Sequence, residues 1–196
     1  MPDKTVLVIA YYFPPMGLSG VQRTLKFVKY LPEYGWNVIV LTSGNDKYYA
    51  FDESQLRELD TNNVKIFRTD QPKPDLAKLT KKFPGTIKQK FGRLALNSIY
   101  IPDSKIKWKD SAVKAGNSIM KKYDIDTIFA TAPPFTDFLV ASELAAKFQK
   151  PFIIDYRDSW VDNDFHYYPT FFHKNASIKL ETKILNRAKR AIVTTR

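Results

Sequence analysis

The chain has 196 residues, 44% of them apolar and 14% aromatic, enough for one domain with a full core and too apolar for a disordered chain. Cysteine is absent, so disulfides and cysteine-held zinc or iron–sulfur sites are excluded; only His166 and His173 remain as histidine ligands, and no metal or other cofactor is expected. The net charge of +11 sits mostly between Lys73 and Lys109, where ten basic residues face only Asp75 and Asp103.

Residues 5–11 form a β-branched and aliphatic run, the pattern of a parallel strand buried on both faces. No basic leader or apolar signal region precedes it, and no apolar run approaches membrane-spanning length, so a cytoplasmic location is expected. Next, Val21, Leu25, Val28 and Leu31 place one apolar face on a helix that Gly35 can end. Strands follow at 38–41 and 64–68, a helix at 109–123, a strand at 125–130, a helix at 135–148 and a strand at 151–154. A helix over 174–189 and a strand over 191–195 complete the series. Strands alternating with helices predict an α/β, Rossmann-like parallel sheet with helices on both faces, in a single domain over 1–196.

Ligands of such sheets lie beyond the carboxyl ends of the strands, which directs attention to three loops. In the first, "YFPPMGLSG", Gly17 and Gly20 permit close approaches or unusual backbone angles at the start of a helix, whose N-terminus favours an anion such as phosphate. A plain tight turn explains the same residues, and G-x-x-G matches neither the dinucleotide fingerprint nor a P-loop. In the second, "TAPPFTD", Pro133 and Pro134 stiffen the exit from a strand, either to start a helix or, by analogy with the first loop, to shape a site. In the third, "DYRDSWVDNDF", Arg157 offers a planar donor fork, Asp158 an acceptor for a hydroxyl or for Arg157, and Trp160 a flat apolar face; Asp155 precedes them. An Arg–Asp pair that merely braces the loop is the competing reading. "DND" at 162–164 has the form of a metal-binding Asp-x-Asp but reads better as a solvated turn.

With "YYFPPMGLSGVQR", "LPEYGWNVIVLT", "ATAPPFTDFLVA", "PFIIDYRDSW" and "LETKILNRAKRAIVTT" in this order, the chain resembles the N-terminal, acceptor-side domain of a GT-B retaining glycosyltransferase of the large family 4-like group. The resemblance implies one half of a two-domain transferase that moves a sugar from a nucleotide-sugar to a glycan or lipid-linked acceptor in polysaccharide or glycolipid biosynthesis. It further implies a C-terminal donor-binding domain beyond Arg196, without which this half is inactive. Gly17, Ser19, Gly20, Arg23, Pro133, Pro134, Thr136 and Trp160 then become substrate- or diphosphate-binding residues, and Arg157 and Asp158 the orienting residues of the catalytic site. Many relatives carry a histidine where this chain has Ala132-Pro133-Pro134, so no role is carried over for it.

Between Lys73 and Lys109, Leu76, Leu79, Phe83, Ile87, Phe91 and Leu94 recur at helical spacing among lysines, with a break at Pro84-Gly85. Two readings remain for this basic amphipathic insertion: contact with an anionic membrane on the inner face of the plasma membrane, or a helix packed on the sheet with a solvated basic face. No nucleic-acid motif accompanies it, and no nucleic-acid partner is expected. The alternative to a transferase half is a non-catalytic Rossmann-like docking module for a membrane or protein partner, or one subunit of a split transferase.

Overall fold

The computed structural model describes residues 4–17, 19–44, 50–59, 62–69, 100–163, 168 and 170–194. Six parallel strands form one sheet: β1 (Lys4–Ile9), β2 (Trp36–Ser43), β3 (Val64–Thr69), β4 (Thr127–Ala132), β5 (Phe152–Tyr156) and β6 (Arg190–Val193). Their spatial order is β3-β2-β1-β4-β5-β6, the doubly wound order of a Rossmann-like fold. Helices α1 (Ser19–Tyr30), α2 (Lys109–Lys122), α3 (Thr136–Phe148) and α4 (Phe171–Leu185) connect them.

Alternation along the strands divides the apolar residues between two layers. On one face Val6, Val8, Ala10, Val38, Val40 and Val64 pack with Leu25 and Val28 of α1. On the other, Leu7, Ile9, Ile39, Leu41, Ile128 and Ile154 pack with residues of α2, α3 and α4, including Ala112, Phe138, Leu144 and Ile184. Helix α1 passes into a 3-10 turn, Leu31–Tyr34, and Gly35 adopts a left-handed conformation at φ 79° while its N–H closes on the Leu31 and Pro32 carbonyls. The predicted glycine stop is therefore present.

Several boundaries differ from the sequence reading: β2 runs Trp36–Ser43 rather than 38–41, β4 Thr127–Ala132 rather than 125–130, and β6 Arg190–Val193 rather than 191–195. Three further differences have identifiable reasons. β1 ends before Tyr11 because the Tyr11 N–H leaves the ladder for the Asp137 carboxylate, at 2.9 Å. β5 continues beyond Ile154 because Asp155 and Tyr156 pair with Thr131 and Ala132 on one side and with Ile192 and Val193 on the other. α4 stops at Leu185, after which the Arg187 and Ala188 N–H groups turn back to the Ile184 carbonyl and Lys189 enters the sheet through the Phe152 carbonyl.

Of the basic segment, residues 73–99 lie outside the described residues. Its remainder packs onto the sheet. Trp108 is buried, donates from Nε1 to Thr69 Oγ1 at 2.6 Å and meets the Tyr11 ring edge-on at 5.3 Å. Such an aromatic pair contributes about 0.5–1.5 kcal/mol beyond its buried area. Among the described residues no helix is long and apolar enough to cross a membrane.

Helices α2 and α3 touch at Gly116, where an added Cβ would run into both methyl groups of the fully buried Leu144. Gly116→Ala gains about 1 kcal/mol in helix propensity but overpacks a closed contact, at a cost of about 1–3 kcal/mol. A net loss of about 1 kcal/mol in urea denaturation is expected; an increase in stability would show that the α2–α3 contact is looser than described.

Candidate functional site

The chain leaves β1 for α1 on one face of the sheet and leaves β4 for α3 on the other, so the two loops diverge above adjacent strand ends. This is the switch point of the doubly wound sheet, the place at the carboxyl edge where such sheets ordinarily hold their ligands. The loop after β5 borders it.

Arg157, one residue past β5, holds these loops together. Its backbone N–H donates to the Ala132 carbonyl at 3.0 Å, and Nε donates to the same oxygen at 3.3 Å. Nη1 donates to the Gly20 carbonyl in the first turn of α1, and Nη2 to the Pro133 carbonyl. The guanidinium thus spans the starts of α1 and the β4 loop. Burial lowers its pKa, and the nearby carboxylates of Asp137, Asp155 and Asp158 work against that shift. The expected alternative of an Arg157–Asp158 brace is replaced by this set of backbone contacts.

Arg23 supplies a second tie between the same elements. Its Nε donates to both oxygens of Asp155, at 3.1 and 3.0 Å, and its Nη2 lies 2.7 Å from Oδ1. Asp155 is completely buried, and Thr131 Oγ1 donates to its Oδ2 at 3.0 Å. Asp155 is therefore a strand residue with its acceptor oxygens occupied, not part of the loop in which the sequence placed it. The pairing raises the Arg23 pKa, mainly through its hydrogen bonds to Asp155.

The two glycines are explained by neighbours within the protein. A Cβ on Gly20 would lie 3.0 Å from Arg157 Nη1. One on Gly17 would lie 3.3 Å from Asp52 Cβ, Asp52 N and the Phe51 carbonyl carbon. There the first loop meets residues 50–52: Gly17 N–H donates to the Ala50 carbonyl at 2.9 Å, and Asp52 N–H to the Pro15 carbonyl at 2.7 Å. Ser19 is exposed at the beginning of α1, whose first turn contains no acidic residue.

Gly20, Arg23, Pro133 and Arg157 therefore converge, with the exposed Asp158 beside them. Pro134, Thr136 and Trp160 turn inward instead. Trp160 is fully buried and stacks on Phe135 at 4.7 Å between ring centroids, so it offers no free face to a ligand. Thr136 is also fully buried, and its Oγ1 and N–H both donate to Asp103, each at 2.9 Å. Asp103 also accepts from the Lys105 N–H at 2.8 Å and so closes the start of α3. Of the "DND" triplet, Asp162 and Asn163 lie on the surface turn, while Asp164 is outside the described residues, as is His166. His173 Nδ1 lies 2.8 Å from Thr170 Oγ1. Among the described residues no three His, Asp or Glu gather as a metal site.

Sequence reasoning did not single out Asp137. It is wholly buried at the first turn of α3, with one oxygen accepting the Tyr11 N–H and Oδ1 without a partner. Burial raises its pKa well above the ordinary carboxyl value, Tyr11 opposes this, Asp103 adds to it and Arg157 subtracts from it. Locally, an aspartate in a first helical turn signals only interaction with the helix dipole. Its partner is 126 residues away.

No family model matches the sequence, and neither does any curated protein. Among solved structures, UGT2 of Phytolacca americana, complexed with UDP-2fluoro-glucose and pterostilbene, is similar with a TM-score of 0.50 at 13% identity, over 80% of this chain and 30% of that one. The glycosyltransferase SnogD of Streptomyces nogalater gives 0.49 at 16% identity, over 98% of this chain and 43% of that one. A short-chain alcohol dehydrogenase of Burkholderia multivorans gives 0.42 at 10% identity, over 93% and 76%. The chain thus spans 30% of the length of the Phytolacca protein, and what it shares with it is a glycosyltransferase-like fold.

Two stability measurements follow from the site. Arg23→Ala leaves the buried Asp155 carboxylate without its guanidinium; the loss should be about 2–3 kcal/mol, below the figure for a fully enclosed pair because 34% of the Arg23 side chain remains exposed. A loss under about 0.5 kcal/mol, the range of neutral surface changes, would remove the pair from the framework. For Asp137, the folded chain binds its proton more tightly than the unfolded chain does. Its contribution to stability is complete below about pH 4, the unfolded carboxyl range, and is lost as pH rises toward the elevated native pKa. Asp137→Asn should flatten this part of the stability–pH curve, and identical curves for the two proteins would show that Asp137 does not hold a proton.

Proposed function

We propose that this domain is the acceptor-side half of a GT-B glycosyltransferase that moves a sugar from a nucleotide-sugar to a glycan or lipid-linked acceptor, in polysaccharide or glycolipid synthesis on the cytoplasmic side. The observation carrying this reading is the convergence of Gly20, Arg23, Pro133, Arg157 and Asp158 at the switch point of the sheet. The likeness in fold to a protein complexed with UDP-2fluoro-glucose supports a nucleotide-sugar as the donor in this reading. A second, donor-binding domain completes the cleft in this reading.

In the transfer, the bond from the anomeric carbon to the diphosphate oxygen breaks and a bond from that carbon to an acceptor hydroxyl oxygen forms. The nucleoside diphosphate leaves with the electron pair and, in a retaining reaction, takes the hydroxyl proton. This domain's contribution is orientation and charge stabilisation rather than a covalent intermediate. Arg157, fixed by three carbonyls, keeps the first turn of α1 facing the β4 loop. The N–H groups of that turn around Ser19 and Gly20 then face the negative charge developing on the diphosphate. Asp158 accepts a hydrogen bond from the acceptor hydroxyl and sets its angle of approach.

The test uses the complete two-domain protein, incubated with UDP- and TDP-sugars while released nucleoside diphosphate is measured with and without glycan acceptors. Acceptor-stimulated release is expected, and its absence for every donor in a folded protein overturns the assignment. Asp158→Ala should lower transfer by about a hundredfold, in the range of a positioned acid–base or hydroxyl contact. Its thermal midpoint should stay unchanged, since the residue is exposed. Unaltered turnover removes Asp158 from the site.

A further inference from the structure

Helix α4 covers the sheet with one side only. Ser177 and Ile184 are buried and Leu180 packs against the core. About a third of a turn round the helix from these, Phe171, Ile178 and Leu185, seven residues apart and so about 10 Å apart along the axis, form a stripe exposed by 74%, 40% and 43%. Phe172, exposed by 81%, stands beside its first member. A soluble helix ordinarily turns polar residues outward, so an exposed stripe of Phe, Ile and Leu marks a contact surface.

The charges beside the stripe identify what it fits. Lys174 lies on one flank and Lys179 and Lys183 on the other, all exposed. Glu181, the helix's only acidic residue, is turned inward, where the Tyr156 hydroxyl donates to it at 3.2 Å. Pairing of two copies through α4 would set lysines against lysines with no exposed carboxylate on the helix to answer them. Next to the stripe, Ile101, Phe172, His173, Asn175, Ala176 and Lys179 line an open groove of about 580 Å³. Its apolar floor with a cation at the rim suits an acyl chain carrying an anionic headgroup.

We propose that the outer face of α4 docks on an anionic lipid surface, with Phe171, Ile178 and Leu185 entering the interfacial region, Lys174, Lys179 and Lys183 meeting phosphates, and the groove at Lys179 taking one lipid headgroup. This surface shares no residue with the group that converges at the carboxyl ends of the strands and is independent of the reaction assigned to that group. Apolar insertion and lysine attraction act together, so neither alone sustains binding.

The experiment is co-flotation of the 196-residue chain with vesicles of phosphatidylcholine alone or mixed with phosphatidylglycerol. Binding to the mixed vesicles only is expected, with salt sensitivity. Lys174→Gln/Lys179→Gln/Lys183→Gln should reduce partitioning by about a hundredfold, the sum of three charges near the surface. Phe171→Ser/Ile178→Ser/Leu185→Ser should reduce it by about tenfold or more. Both sets alter exposed side chains, and far-UV dichroism with thermal melting verifies that each variant is folded. Equal binding to neutral vesicles, no binding to either, or binding that survives in both folded variants overturns the proposal. The last outcome would assign lipid contact to another segment, such as residues 73–99. A dimer that the apolar variant dissociates, in a chain that does not bind vesicles, would assign the stripe to a second copy.

Discussion

At the carboxyl edge of this sheet the start of α1 is tied to the β4 loop by one guanidinium that, among the described residues, bonds carbonyls and no carboxylate. Arg157 is bonded to the carbonyls of Gly20, Ala132 and Pro133, oxygens belonging to α1, β4 and the β4 loop. Carbonyls at the start of a helix and at the exit of a strand do not compete with one another for position, and a planar fork can take several at once. Arg23 makes the reciprocal connection, from α1 to Asp155 of β5. The two arginines thus cross between the same pair of elements, one reaching from helix to strand and the other from strand end to helix.

Carboxyl groups beneath this edge occupy three different electrostatic situations. Asp155 is buried with a cation and a hydroxyl on it. Asp103 serves as an acceptor for the N–H groups at the start of α3, with burial raising its pKa despite those bonds. Asp137 has one N–H on one oxygen and nothing on the other, and burial dominates its titration. Burial favours the protonated form of Asp103 and Asp137, and a carboxyl that keeps its proton needs less compensation in a low-dielectric interior than the carboxylate that Arg23 answers at Asp155.

The α/β class, the parallel sheet and the location of the three loops were legible in the sequence, because doubly buried strands and one-sided helices leave periodic apolar patterns. Gly35 was legible for the same reason, being tied to a local backbone angle. What the sequence could not display was the partner of each polar group. Trp160 follows an Arg-Asp pair in a loop, yet it belongs to the core because Phe135, 25 positions earlier, stacks on it. Thr136 sits in a Pro-Pro loop, yet its hydroxyl is taken by Asp103. Asp155 looked like a loop residue until its pairing with Ile192 placed it in a strand. Each of these errors is one of long-range pairing, for which local composition holds no signal.

The 3.0 Å between Arg157 Nη1 and the place a Cβ would occupy on residue 20 ties together two positions far apart in the chain. A methyl group at position 20 needs the fork at 157 to give by a few tenths of an ångström, a movement that its bonds to three carbonyls oppose, whereas a shorter residue at 157 abandons those carbonyls. The two positions are thus coupled, and the effect of a change at one depends on the side chain at the other. The second glycine in "YYFPPMGLSG" thus has its reason in an arginine 137 residues later.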